Sequence, residues 1–142
     1  MERALRFEAT YPHPPSKVWK VITTREHLGR WLMKNDFEPR VGHRFQFRAK
    51  PVGGWDGIVN CEVLDLVPER KLVMTWCSNV IDTKLTILLE PSGAGTRFTL
   101  LHTGFRGLKP IMTSFLLGMG WKGHVRSGLP GLIRELESDG TL

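Results

Sequence analysis

The sequence predicts one α+β domain: an antiparallel sheet of about six strands covered by a long C-terminal helix, with two short helices after the first strand. Several segments alternate apolar and polar residues, which is typical of strands with one buried face. Two other segments repeat apolar residues at helical spacing. The chain has 142 residues, of which 41% are hydrophobic. This is enough for one core and too few for two, so we interpret residues 1–142 as a single domain.

The first strand is predicted in RALRFEATY, where Leu5, Phe7 and Tyr11 alternate with polar residues. The next segment predicts two short helices that are separated near Thr23. Ser16 is the expected N-cap of the first of them, because its hydroxyl can accept a bond from a free backbone N–H group.

Five more strands are predicted in HRFQFRA, GIVNCEVLDL, KLVMTWC, KLTILLE and TRFTLLHT, which turn signals such as VPER and PSGAG separate. Short connections of this kind favour an antiparallel meander. His102 falls on the same strand face as Phe98 and Leu100. Cys61 pairs with Trp76 in one register and with Cys77 after a slip of one residue, and the sequence leaves both registers open.

The segment GWKGHVRSGLPGLIREL predicts an amphipathic helix over residues 121–136. On an ideal helix Pro130 falls opposite Trp121, so it is expected on the outer face, with a bend over residues 126–130. The glycines of this segment have two interpretations. They let the helix approach the sheet closely, or they leave volume and mobility beside a pocket.

Composition excludes several classes of protein. The net charge is +6 and the pI is about 9.7. The basic residues are scattered, which predicts a solvated basic surface and argues against a nucleic-acid site. The sequence lacks an apolar run of membrane-spanning length and begins with charged residues, so we expect a cytoplasmic protein without membrane insertion. Cys61 and Cys77 are expected to be reduced thiols, and no metal or cofactor is predicted.

Motifs along nearly the whole chain resemble the SRPBCC, or START-like, superfamily with its helix-grip fold, and within it the bacterial relatives of the C-terminal domain of the heat-shock protein 90 ATPase activator. The similar segments are PPSKVWKVITTREHLGRWL, MTW, GAGTRFTLLHTGF and GWKGHVRSGLPGLIREL. The positions that match the family's pattern are Trp19, Trp31, Gly42, Trp76, Gly95-Thr96, His102 to Phe105 and Gly120-Trp121. The chain departs from the family at Gly128, Pro130 and Gly131, where an alanine- and leucine-rich helix is usual.

The resemblance implies an apolar cavity between the sheet and the C-terminal helix, where superfamily members bind lipid-like or aromatic molecules. Apolar alternation together with this resemblance gives a set of candidate ligand-binding residues: Trp31, Phe47, Trp55, Trp76, Leu85, Leu100, His102, Phe105, Met119, Trp121 and His124. Trp55 lies in the glycine-rich loop PVGGWDG, which favours a place at a cavity mouth or a partner surface.

Three functions remain from the sequence. The first is binding of a small apolar ligand, which needs only the cavity. The second, implied by the resemblance, is an accessory protein that acts on a chaperone through its surface. The third is a cyclase or dehydratase that uses His102 with an acid such as Asp56 or Asp65. His102 is the only titratable group placed clearly on the inner face, so we expect binding without turnover and name no catalytic residue. The sequence does not indicate the oligomeric state.

Overall fold

A computed structural model describes all residues, 1–142, and contains one seven-stranded antiparallel sheet. The strands are β1 (Glu2–Tyr11), β2 (Lys34–Asn35), β3 (Arg44–Arg48), β4 (Ile58–Val67), β5 (Lys71–Cys77), β6 (Asp82–Ser92) and β7 (Gly95–Arg106). The helices are α1 (Pro15–Ile22), α2 (Arg25–Trp31), α3 (Leu108–Gly123) and α4 (Leu129–Ser138), with a π-helical segment (His124–Gly128) between the last two. The strand order is β1-β7-β6-β5-β4-β3-β2. The predicted fold class is confirmed, with the two-residue strand β2 as an addition.

One face of the sheet carries the core, as the alternation predicted. In β6 the side chains of Leu85, Ile87 and Leu89 are each at most 2% exposed, whereas Lys84 and Glu90 point to solvent. The helices pack on this apolar face, because an antiparallel sheet needs to cover only one of its two sides. A single core results, and it includes residues from every long strand.

A β-bulge settles the register between β4 and β5. Next to the turn Val67 pairs with Lys71, which on its own would bring Cys61 opposite Cys77. The register shifts by one residue between Val63 and Asp65, and beyond the shift Asn60 pairs with Cys77. Cys61 therefore lies opposite Trp76, and both cysteines are free thiols.

The predicted N-cap of α1 is wrong. The helix begins at Pro15, and the capping position is Pro14, which makes no side-chain cap bond. Ser16 lies inside the first turn. Proline is favoured at the first helical position, since its φ angle is already helical and the N–H group it lacks would have no partner there.

The C-terminal helical segment begins at Leu108 and not at Trp121, so it is 13 residues longer at its start than predicted. Gly107, with φ of +88°, turns the chain out of β7 immediately before the helix. Pro110 is accommodated in the first turn, where its missing N–H group removes no helical bond.

Pro130 is buried in α4, so its predicted place on the outer face is wrong. The helix is interrupted near this residue, but by a π-helical turn in which the Leu129 N–H group donates to the carbonyl of His124. A π-turn holds an extra residue and therefore rotates the following helix relative to the preceding one. Pro130 has no N–H group to give to the Val125 carbonyl, and the Tyr11 hydroxyl donates to that carbonyl instead, at 2.5 Å.

Candidate functional site

An apolar cavity of about 430 Å³ lies between α3, the loop over residues 52–55 and the sheet. Small-molecule sites in proteins usually have volumes of about 300–1,000 Å³. Eight of its twelve lining residues are hydrophobic, which makes it suitable for an apolar ligand. The lining consists of Met33, Val52, Gly53, Gly54, Trp55, Val59, Trp76, Ser78, Val80, Thr113, Leu116 and Leu117.

Hydrogen bonds fix the loop over residues 52–55, which forms one wall of this cavity. Val52 and Trp55 exchange two backbone bonds, at 3.1 and 3.0 Å, and the Trp55 indole Nε1–H donates to the carbonyl of Ile58 at 2.9 Å. The side-chain amide of Asn79 donates to the carbonyl of Gly54 at 2.9 Å. The indole of Trp55 is therefore held against the opening although its loop lies at the surface.

The back wall of the cavity is formed by Trp76 in the middle of an aromatic cluster. Its ring centroid is 5.3 Å from those of Phe47 and Trp121, and Trp121 meets it edge-on. Edge-to-face packing of this kind holds rings in one orientation. The wall is consequently rigid on the side of the sheet.

A more polar cavity of about 480 Å³ adjoins the first one at the surface. Gly54, Val80 and Thr113 line both of them, so the two cavities are adjacent. The second cavity is completed by Asn79, Lys109 and Met112. The first cavity is lined mainly by apolar side chains, whereas the second one adds Asn79 and Lys109.

A third, larger cavity of about 660 Å³ is mostly polar. Only two of its eleven lining residues are hydrophobic, and its charged side chains are Glu2, Asp82, Lys84 and Arg106. Arg106 is partly neutralised by Glu2, 3.5 Å away. With charges of both signs and little apolar surface, this groove is a weaker candidate for a ligand site than the apolar cavity.

His102 is buried inside the aromatic cluster, where all of its hydrogen bonds are satisfied. Its Nδ1 accepts from the indole N–H of Trp121 at 3.0 Å, because an indole can only donate. The Nε2 atom therefore carries the proton and donates to the hydroxyl of Thr83 at 2.7 Å, and that hydroxyl donates to the carbonyl of Trp76 at 2.6 Å. Burial lowers the pKa of His102 to about 3, so it stays neutral at physiological pH.

The acids considered as partners of His102 lie elsewhere. Asp65 forms an ion pair with Lys71 at 2.7 Å, and the Asp56 carboxylate accepts from the Ile58 N–H group. Neither ring nitrogen of His102 is left to act on a ligand. The geometry of this residue is that of a core histidine that joins β7 to the end of α3.

Of the eleven candidate residues, Trp55 and Trp76 line the apolar cavity. Seven others fill the core: Trp31, Phe47, Leu85, Leu100, His102, Phe105 and Trp121. His124 is half-buried between the rings of Trp31 and Trp121, and burial lowers its pKa. The expectation that Met119 points inward is wrong, since its side chain is 73% exposed. The cause is the unpredicted start of α3, which places Met119 on the outer side of a regular helix.

Sequence reasoning missed most of the cavity wall, above all Thr113, Leu116 and Leu117 of α3. A signal for this helix was present, because apolar residues recur at helical spacing from Leu108 to Met119. The cluster of glycines after residue 117 hid it.

No group of three or more histidine, cysteine, aspartate or glutamate side chains lies close enough together to hold a metal ion. None of the helices combines the length and the apolar character that crossing a membrane requires.

An antiparallel sheet that packs on a long C-terminal helical segment, with two short helices after the first strand, defines an α+β protein of the helix-grip class. The chain belongs to the family of activator of Hsp90 ATPase homolog 1-like proteins, whose family model matches residues 12–127. This family is part of the SRPBCC superfamily, so the resemblance found in the sequence is confirmed. Proteins with this fold are typically ligand-binding or similar to polyketide cyclases.

Solved structures agree with this assignment. The chain is 32% identical to protein MLL2253 from Mesorhizobium loti, with 94% of this chain and 98% of that chain covered and a TM-score of 0.85. Protein BH1534 from Bacillus halodurans is 26% identical, with 92% and 96% covered and a TM-score of 0.78. The Aha1 dimer from Colwellia psychrerythraea shares the fold at 17% identity, with 87% and 90% covered and a TM-score of 0.72. A comparison with curated proteins gave no significant match.

Proposed function

We propose that this protein binds a small apolar molecule, in the cytoplasm, in the cavity between α3 and the sheet. The observation that carries the proposal is the cavity itself: about 430 Å³, mostly apolar, with Trp55 and Trp76 on its walls. Aromatic walls give a ligand a large contact area at little cost in conformational entropy.

Binding of a neutral fluorescent probe, N-phenyl-1-naphthylamine, tests this proposal. The folded protein is expected to bind the probe and to enhance its emission. Leu117→Trp fills the cavity and should abolish binding, since Leu117 lines it. Met119→Trp adds the same ring to the exposed side of the same helix and should leave binding unchanged. Absence of probe binding by the folded wild type, or equal binding by both variants, would contradict the proposal.

A second candidate function, action on a chaperone through the surface, is favoured by one observation. An apolar stripe on α3 faces solvent, formed by side chains that are 56–76% exposed: Leu108, Met112, Phe115, Leu116 and Met119. Exposed apolar patches commonly mark interaction sites. The ATPase rate of an Hsp90 with and without the protein measures this function, and Phe115→Ser should remove any stimulation while retaining probe binding.

A further inference from the structure

The two adjacent cavities differ in chemistry, and this limits a ligand that fills both more narrowly than apolar character alone. Trp55, Trp76 and Leu117 line the apolar cavity. Lys109 and Asn79 line the second cavity. A ligand that fills both has an apolar body and a polar end.

The second cavity, lined by Lys109 and Asn79, attracts anions. None of the residues that line the two cavities is acidic. The chain contains no aspartate or glutamate from residue 91 to residue 134, which includes all of α3. Lys109 has no carboxylate within 4.0 Å, unlike Lys17 and Lys71, which are paired. The ammonium group of Lys109 is therefore available to a ligand.

The side-chain amide of Asn79 is a second donor at the same place. One Nδ2–H of Asn79 donates to the carbonyl of Gly54, and the other remains unused. The hydroxyl hydrogen of Thr113 is engaged with the carbonyl of Lys109 at 3.0 Å, so Thr113 offers no donor. Asp56, the acid that follows Trp55 in the loop, turns its carboxylate to the Ile58 N–H group and lines neither cavity.

We infer that the two adjacent cavities together bind a single-chain amphiphile with a carboxylate head, such as a fatty acid. Its chain lies against Trp55, Trp76 and Leu117, and its head lies at Lys109 and Asn79. An ammonium and one amide N–H supply donors to the two carboxylate oxygens. A cationic head would be repelled by Lys109. This inference rests on the proposed function that the cavity binds apolar molecules.

The experiment compares laurate with 1-dodecanol, which has the same chain and an uncharged head, as competitors of N-phenyl-1-naphthylamine below the micelle concentration. In the wild type both are expected to displace the probe. Lys109→Glu should weaken laurate binding by about tenfold and leave 1-dodecanol binding unchanged, because it removes the attraction between the ammonium and the carboxylate head and adds repulsion. Raising the salt concentration to 0.5 M should reduce the effect of Lys109→Glu on laurate binding, since exposed charges are then screened.

Lys122→Glu is the matched control. It makes the same charge change in the last turn of α3, where Lys122 is exposed and lines neither of the two cavities. If both variants weakened laurate binding equally, the cause would be the overall charge of the protein. This result would overturn the assignment of the head to Lys109. Displacement by both competitors without any effect of Lys109→Glu would overturn the inference and leave the proposed function intact. Failure of the wild type to bind the probe would overturn both.

Discussion

The two helices of the C-terminal segment differ sharply, although only five residues separate them. In α3 only Ser114 and Trp121 are buried, and an apolar stripe faces solvent. In α4 half of the ten residues are buried. The carboxylate of Glu137, at the end of α4, also meets Lys17 of α1 at 2.6 Å and buried His13 at 2.8 Å. The charged contact of α3 is with Arg3, whose guanidinium carbon lies 4.0 Å from the centroid of the Phe115 ring.

This difference separates stability from ligand binding within one continuous segment. The α4 side chains are part of the core and contribute to folding through apolar burial. The α3 side chains cover a cavity and bury less apolar surface, so this helix contributes less to folding. Loosely packed elements are also the ones that open most readily, which suits a helix that covers a binding site.

The largest expected effect distinguishes the two helices by stability. Ile133→Ala in α4 should lower the free energy of unfolding by about 2–5 kcal/mol, because Ile133 is fully buried and a cavity remains. Leu116→Ala in α3 should change it by no more than about 0.5 kcal/mol, because Leu116 is 74% exposed. Urea denaturation measures both. Similar losses of unfolding free energy for the two variants would show that α3 contributes to stability as much as α4 does.

The next effect concerns the junction of α3 with the sheet, where Trp121 donates to His102. His102 has a pKa of about 3 when folded and about 6.5 when unfolded. The unfolded state therefore binds the extra proton below pH 6.5, and stability that is present above this pH is lost as the pH falls toward 3. The loss between pH 6.5 and 4.5 should be roughly 2–3 kcal/mol from this residue.

His102→Gln is the control for that pH dependence, since glutamine does not titrate. The variant should be less stable than the wild type at pH 7, with a curve of unfolding free energy against pH that is flatter between pH 6.5 and 4.5. Urea denaturation at a series of pH values measures it. Parallel curves for the two proteins would contradict the role given to His102, because the other histidines and the carboxyl groups would then account for the whole pH dependence of stability.

A smaller effect is expected at the π-helical segment. Tyr11→Phe removes the only side-chain bond to the Val125 carbonyl and leaves that carbonyl unpaired, at a cost of about 1–2 kcal/mol. Hydrogen exchange should accelerate in α4 more than in α3. In a Pro130→Ala background the new N–H group can reach the carbonyl, so Tyr11→Phe should cost less there. An equal cost in both backgrounds would contradict the role given to Pro130.

The smallest effect should be a gain of stability in α3. Gly120→Ala places a methyl group where no atom lies within 4 Å, so it should stabilise the helix by about 0.5–1 kcal/mol. Stopped-flow probe binding then shows whether the glycine serves ligand entry, since a more rigid α3 should slow association. Gly118→Ala, whose new methyl group would contact Leu5 at 3.7 Å, tests the alternative of close packing against β1.

The sheet could be predicted from the sequence because alternate apolar residues indicate the buried face of each long strand, as Leu85, Ile87 and Leu89 do in β6. The register of Cys61 could not, because it depends on a bulge between Val63 and Asp65 whose effect on strand pairing is not determined by alternation alone. The face of Pro130 could not either, since an ideal helical wheel has no place for the extra residue of a π-turn.

The candidate site was predicted less well than the fold. Alternation finds inward-facing side chains, but it does not distinguish those that fill space from those that border it. Phe47 and Trp76 are both buried and in contact, yet only Trp76 lines the cavity. Trp55 could be predicted because a tryptophan between glycines lies in a loop, where a large apolar ring has no strand or helix to pack with. The α3 wall was missed because its apolar residues were not interpreted as a helix.

The exposed stripe of α3 also governs how copies of this protein behave at high concentration. With a net charge of +6, electrostatic repulsion keeps copies apart at neutral pH and low salt. As the pH approaches the pI of about 9.7 that repulsion vanishes, and added salt screens it at any pH. The apolar stripes then attract one another, so the osmotic second virial coefficient turns negative first under alkaline or high-salt conditions. Colloidal stability thus depends on the same surface that leaves α3 loosely attached to the fold.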